Sequence, residues 1–587
     1  MTFTFINKYL TKAEKLIYKN SLIFIFFLYS LCNLFFLTNN FLFWDDWCLT
    51  GNSFAEIMEF YKGPGTCPWG VLFMEMIYHV PPFFARWIIF ALYFTTTVCL
   101  EKILKNLGVK DLTRFIIVLL YTINPVVIAK YALIDAGYYL GQSLFFLASY
   151  IIICHNENKK AYYIAIIIFF LSFMTRSLLC FYAVPIGVLF YKNVICDWKG
   201  FRISIFAFIK KYYLFLILPF AFYAYIHFCL KPSGLYAEEN YNSINVFYLV
   251  KNTFNLFFKS ITDIYNWLFY TRIKSDSIKY AIIIILIVSF FFDRKDFYLY
   301  LASLFIFLFA RFPYTAVEKY GAVGGAGASR HFLLTPLPTA LLTYLTFIFI
   351  SKNCGRFIYL FRCCFFKQEE ENVSITCIVK NIPKFEFRKG VSIFISLIVT
   401  CNFLFINLRV GKNVMEDTII QEAIIEKYKE SDAIRNNTNF SITTNYSYYG
   451  QWLQENDLIH YIAFGLFWKA FNDEKRVSYN TKFQNEDVFN WYFDTLGVLP
   501  NKYFKIRGMQ NKKASHNIYI ETNNLLLSRR WFVKTYFMYI FNKKEYYKRI
   551  KNCINLVTIA LVVDEESDLE EESLDYLFDD AEDVTPL

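Results

Sequence analysis

Seven consecutive residues, Phe41-Leu42-Phe43-Trp44-Asp45-Asp46-Trp47, place two adjacent carboxylates among aromatic rings directly after an apolar run. Carboxylates are costly to keep at a membrane exit unless something pairs or uses them. An acid held near apolar rings and beside a second negative charge titrates above its usual range. That tuning suits a general base at neutral pH. The competing reading is a pair of helix-capping acids that mark the interface. Asp135 stands in Tyr131-Ala132-Leu133-Ile134-Asp135-Ala136-Gly137-Tyr138, and Lys130 is one turn deeper. Arg176 lies in Met174-Thr175-Arg176-Ser177, between two apolar runs. The Gly-rich stretch from Tyr320 ends in Ser329-Arg330-His331. Backbone N–H groups of such a loop, together with Arg and His, suit a phosphate. No Gly-Lys-Ser/Thr comes after it, so it is not a Walker loop. Arg330 and Arg176 are equally explained as cations that snorkel from helix ends. Taken together, acids that accept a proton and cations that hold a phosphate are what transfer from a phospholipid-linked donor requires.

The elements that would position these residues are apolar helices. The chain has 587 residues, 56% of them hydrophobic and only 19% charged. A globular chain is about 25% charged, and disorder needs the opposite balance. Both classes are excluded for most of the sequence. Runs able to cross the hydrocarbon core need about 17 to 25 residues. Candidates lie at 21–38, 83–100, 115–134, 138–153, 161–174, 178–191, 213–230, 278–292, 297–312, 331–351 and 390–407. The predicted fold is therefore an α-helical polytopic membrane protein with about eleven transmembrane helices. The pair 161–174 and 178–191 reads either as a tight hairpin or as one long helix with Arg176 embedded.

Positive charge orients the spans. With the N-terminus cytoplasmic, the inside loops carry 25 Lys plus Arg and the outside loops only 9. That assignment puts Asp45, Asp46, Asp135, Arg176 and Arg330 on one extracytoplasmic face and the chain in a cell membrane. Basic loops facing anionic lipid account for the formal charge of +11 without a nucleic-acid partner. Cys48 and Cys67 share the first outer loop, as a disulfide or as two free thiols.

Outside the spans, Ser243–Tyr270 in the loop 231–277 repeats apolar residues at helical spacing. It reads as an amphipathic helix on the membrane surface. Residues 1–407 form the transmembrane domain, with 39–82 as its first outer loop. Residues 408–563 turn polar and Asn-rich, with strand-like runs at Phe440–Thr444, Tyr503–Arg507, Asn517–Glu521 and Asn555–Val563. They predict a small C-terminal α/β domain on the outer face. Within it Ser528–Lys551 is basic and aromatic, grazing lipid or packing as an ordinary helix. The tail 564–587 is acidic and reads as solvated and disordered.

An acid pair directly after the first span resembles the C-type glycosyltransferase (GT-C) superfamily, whose first extracytoplasmic loop carries an essential acid or acid pair. Asn124-Pro125 through Asp135 and the hairpin Ser172-Phe173-Met174-Thr175-Arg176-Ser177 are similar to segments of serotype-converting glucosyltransferases. Ser329-Arg330-His331-Phe332-Leu333-Leu334-Thr335-Pro336 resembles the Arg-aromatic-Leu-Pro segment that opens a late span in lipid-linked sugar transferases. The likeness covers roughly residues 20–350. His331 departs from the more usual Tyr, and no sequon-recognition motif of the oligosaccharyltransferase type is present. The resemblance implies a polyprenyl-phosphate-sugar donor and an acceptor hydroxyl on a glycan, lipid-linked glycan or protein. Asp45 or Asp46 would take the acceptor proton. Arg330, His331, Arg176 and Lys130 would face the donor phosphate, and Asp135, Trp44 and Trp47 the substrate. Such enzymes mostly work without a metal, although an acid pair has the oxygen ligands to hold Mg²⁺ or Mn²⁺. Competing readings are a lipid-linked sugar flippase, a polysaccharide polymerase or ligase, and a non-catalytic assembly protein.

Overall fold

A computed structural model describes residues 20–43, 46–49, 54–155, 157–195, 201–232, 246–317, 319, 323, 328–365, 386–445, 460–472, 477–478, 515–523 and 528–561. Trp44, Asp45, the strand expected at Tyr503–Arg507 and the tail 564–587 lie outside them. The described chain is a bundle of helices with one small sheet attached.

Among the described residues six helices are long and apolar enough to cross a membrane: Pro82–Asn106, Leu133–Cys154, Ser204–Cys229, Ser275–Phe292, Arg294–Thr315 and Ile393–Glu430. Ser21–Cys32 and Leu178–Asn193 are shorter apolar helices. The chain is thus a helical membrane protein. Local chemistry sets the helix ends. Pro82 occupies the first turn of its helix, where its missing N–H costs nothing. Asn158 caps Lys159–Ser172 by accepting from the N–H groups of Lys160 and Ala161. That helix ends before Arg176, and Leu178 starts the next one. Residues 161–191 therefore fold as a hairpin and not as one long helix.

The run 115–134 is not one helix. The Asp111–Thr122 helix stops before Asn124-Pro125, because Pro lacks an N–H and disfavours helix in the residue before it. From there to Asp135 the chain is buried and irregular, with short turns at Ala129–Tyr131 and Leu133–Asp135. Irregular backbone at this depth persists only if other protein groups satisfy it. Asn407 Nδ2 donates to the Ile123 carbonyl at 2.8 Å, and Trp267 Nε1 to the Pro125 carbonyl at 3.3 Å. Ser329 Oγ accepts from the N–H groups of Ile128 and Ala129 at 2.9 and 2.8 Å.

The 243–270 periodicity forms the helix Val246–Phe269. Its apolar face does not rest on a membrane surface alone: Phe257, Ile261, Ile264 and Leu268 are buried against neighbouring helices of the bundle. The run 390–407 belongs to a 45-residue helix, Glu386–Glu430, so the boundary expected at 407/408 falls inside a continuous element. This helix packs along the bundle and then continues to the sheet. Strands β1 (Asn439–Thr444), β2 (Val477–Ser478), β3 (His516–Thr522) and β4 (Ile554–Ala560) run in the order β2-β1-β3-β4. β1 is parallel to β2 and β3, and β3 is antiparallel to β4. Phe440, Ile442, Ile518 and Ile520 bury one face. The Phe440 and Tyr428 rings stack around Phe467 of the His460–Phe471 helix, at 5.3 and 4.7 Å.

Candidate active site at one end of the helix bundle

Asp46 opens a single helical turn, Asp46–Leu49, and is fully buried. Its Oδ2 accepts from the Phe43 N–H at 3.1 Å and its Oδ1 from the Ile134 N–H at 2.9 Å. The Tyr78 hydroxyl donates to Oδ1 at 3.4 Å. The carboxylate therefore ties the first loop to the irregular 124–135 segment. Burial pushes its pKa up to about 6, against the opposing pull of N–H groups from Leu133, Ile134 and Phe43 and of the Arg86 charge. Desolvation outweighs the hydrogen bonds.

Arg86, which the sequence did not single out, completes this corner. It is fully buried one turn into the Pro82–Asn106 helix. Nη1 donates to the Asn39 carbonyl at 3.3 Å, and Nη2 to those of Phe41 and Tyr131 at 2.6 and 3.3 Å. Its Nε has no hydrogen-bond partner among the described residues. One guanidinium thus gathers the end of the first helix and the 131 turn around Asp46.

Asp135 is next in the chain to the residue that donates to Asp46, and it faces Arg330 at 4.0 Å. Asp135 is buried, whereas the Arg330 side chain is 34% exposed. Ser329 pins Arg330's turn to the 128–129 backbone, which sets this pairing. Two further cations stand beside it. Lys319 is pushed down to about 8, first by burial and then by the Arg330 charge. Arg311, buried in an apolar helix, donates through Nη1 to the His331 carbonyl at 2.7 Å and lies over the Phe332 ring at 3.9 Å. Neither was expected. Arg311 hides within a span, and Lys319 reads from sequence as a plain loop residue.

The other expected residues behave differently. Lys130 Nζ turns into the bundle, donating to Asn33 Oδ1 at 2.7 Å and Asn407 Oδ1 at 3.5 Å. Arg176 donates through Nη2 to the carbonyls of Pro64 and Gly65, at 3.1 and 2.9 Å, and so braces the first loop. Burial lowers its pKa. The His331 ring lies 4.9 Å from the Tyr314 ring, and its Nδ1 has no hydrogen-bond partner among the described residues. Trp47 is fully buried, with its ring 5.4 Å from that of Phe41. Cys67 is a buried free thiol. Among the described residues no group of three or more His, Cys, Asp or Glu converges as a metal site. Both oxygens of Asp46 already accept N–H bonds, and its neighbour Asp45 lies outside the described residues.

Asp46, Asp135 and Arg330 thus come together at one end of the bundle, with Arg86, Arg311 and Lys319 added. Chemically, the group offers enclosed carboxylates next to a part-exposed guanidinium. No family model matches the chain, and neither does any curated protein or solved structure.

Proposed function

We propose that the chain is an integral membrane glycosyltransferase of the GT-C kind, moving a sugar from a polyprenyl-phosphate donor to an extracytoplasmic acceptor hydroxyl. The observation that carries this reading is the convergence of Asp46, Asp135 and Arg330 on the 124–135 segment. In the reaction, the first-loop acid pair removes the acceptor proton and the acceptor oxygen bonds to the anomeric carbon. The bond from that carbon to the lipid phosphate breaks, and the phosphate leaves with the electron pair. Arg330 and Lys319 compensate the charge that develops there. Asp46, enclosed on both oxygens, fixes the loop. Chemistry leaves its neighbour Asp45 to take the proton.

The eleven apolar runs of the sequence and the excess of Lys and Arg in alternate loops support a topology of eleven crossings. The N-terminus is then cytoplasmic, and the sheet lies on the same face as the acids. The site stands in a cell membrane, with lipid and the lipid-linked donor as its partners. The test is sugar transfer from a polyprenyl-phosphate donor in membranes containing Asp45→Asn or Asp46→Asn. The Asp45 variant is expected to lose at least a hundredfold in kcat, a typical general-base contribution being about 10²–10⁴. The Asp46 variant is expected to lose less. Full activity in both variants sinks the acid-pair mechanism.

A further inference from the structure

The Asp46–Leu49 turn is held from two sides. The bundle grips it through the carboxylate of Asp46. On the opposite side stands the His460–Phe471 helix, which belongs to the C-terminal part of the chain. Its Gly465 is buried against the Trp47 indole. A Cβ added at Gly465 would meet Trp47 Cδ2 and Cζ3 at 3.0 Å, and Cε3 closer still. Only a residue without a side chain lets the indole lie there. The Trp47 Nε1 finds no hydrogen-bond partner among the described residues, so shape and not a polar bond fixes the ring. The Arg529–Phe541 helix adds to the grip one step earlier in the loop. Tyr539 Oη accepts from the Asn40 N–H at 3.0 Å, and the Tyr536 hydroxyl bonds Thr38 Oγ1 at 2.8 Å.

We propose that the C-terminal part of the chain is a clamp for the first-loop acids, and that Gly465 is its positioning residue, acting through Trp47. The proposal rests on the glycosyltransferase reading for its consequence in catalysis, but not for its geometry. It assigns the C-terminal helices a task inside the reaction: they hold the aromatic side chain next to Asp46, so that the acid pair keeps its place over the 124–135 segment. Trp47, expected from sequence to touch substrate, is instead the part the clamp grips.

The experiment is a double-mutant cycle on the full-length protein with Gly465→Ala, Trp47→Phe and the pair combined. Alanine favours a helix over glycine by about 1 kcal/mol, so any loss in Gly465→Ala comes from the ring and not from helix weakening. Gly187→Ala serves as control, since a Cβ there meets nothing within 4 Å. Two readouts are taken. Hydrogen exchange of residues 43–49 is expected to speed up at least tenfold in Gly465→Ala and to return to within threefold of Trp47→Phe in the double variant. The kcat for sugar transfer is expected to fall at least tenfold in Gly465→Ala with KM within twofold, and to recover in the double variant. Unchanged exchange in Gly465→Ala, or effects that simply add in the double variant, overturns the clamp. If the wild-type protein transfers no sugar, the glycosyltransferase reading fails, while the exchange arm still decides the clamp.

Discussion

At the end of the bundle that holds Arg114, carboxylates meet cations directly. Glu101 pairs with Arg114 at 3.1 Å, Arg114 with Asp111 at 2.7 Å, and Lys352 with Asp293 at 2.6 Å and also with Asp296. At the other end, Asp46 is held by backbone N–H groups and a tyrosine, and Asp135 faces Arg330 only at 4.0 Å. The titrations diverge accordingly. Burial would raise Asp293, but bonds from Lys352 and the Asp296 N–H reverse it, and its pKa falls below the usual value. Burial wins at Asp46, which rises to about 6. An ion pair satisfied on the spot stabilises a turn and leaves little free for a ligand. A carboxylate raised towards neutrality by burial, bonded to the N–H of Ile134 next in the chain to Asp135 and its part-exposed Arg330, is an arrangement that binding or catalysis uses.

The largest effect that separates the two ends is on folding. Replacing Arg86 by Leu leaves the carbonyls of Asn39, Phe41 and Tyr131 without their donor. Removing one member of such a buried network costs about 3–5 kcal/mol. Thermal unfolding in detergent is expected to show a far larger loss for Arg86→Leu than for Lys352→Ala. Equal losses would erase the distinction between the ends.

The next effect is on pH dependence. Asp46 has a raised pKa, so the folded state favours its protonated form, and its ionised form is gained as pH rises through about 6. If the ionised acid pair is the active one, kcat/KM falls on an acid limb near 6. That limb is expected to move in Asp46→Asn and to stay put in Lys352→Ala. Asp293 has the opposite sign. Its depressed pKa contributes stability that is present above the unfolded value of 3.8 and lost as pH falls through the lower folded value. Stability of Asp293→Asn should therefore match the wild type only in strong acid.

Smaller still is the Lys352→Ala loss itself. The pair with Asp293 and Asp296 is partly exposed and contributes about 0.5–1 kcal/mol, read as a small drop in melting temperature. The least effect is expected at Phe537, which is 57% exposed on the Arg529–Phe541 helix near Phe541. That helix packs its Phe532 and Tyr536 rings on Phe35 of the first span, at 5.7 and 4.8 Å. Phe537→Ser should leave transfer within threefold of wild type and the melting temperature in detergent unchanged, as expected for an exposed side chain.

The strands beginning near Phe440, Asn517 and Asn555 were legible in the sequence, because alternating apolar residues bury one sheet face. So were the long apolar helices, whereas the segment around Arg176 read equally as a hairpin or as one helix. The break in 115–134 was also within reach, since Pro125 rules out a continuous helix there. The convergence at Asp46 was legible only in part. Asp135 and Arg330 announce themselves as charges at span ends, whereas Arg86 and Arg311 sit inside apolar helices and acquire meaning only from the carbonyls they meet. Lys130 misled for the same reason: its partners, Asn33 and Asn407, are far away in sequence. The Gly465–Trp47 contact is likewise long-range and carries no local signature.

Whether the chemistry sits at the Asp46 end is tested most directly by sugar transfer with Arg330→Ala and Arg114→Ala in matched membranes. The donor is a polyprenyl-phosphate sugar, and rates are normalised to folded protein. Removing a preorganised charge at the reacting phosphate typically costs about 10²–10³ in kcat. A loss of that order is expected in Arg330→Ala, with a rate within threefold of wild type in Arg114→Ala. Wild-type transfer by Arg330→Ala would contradict a reaction centre at this end.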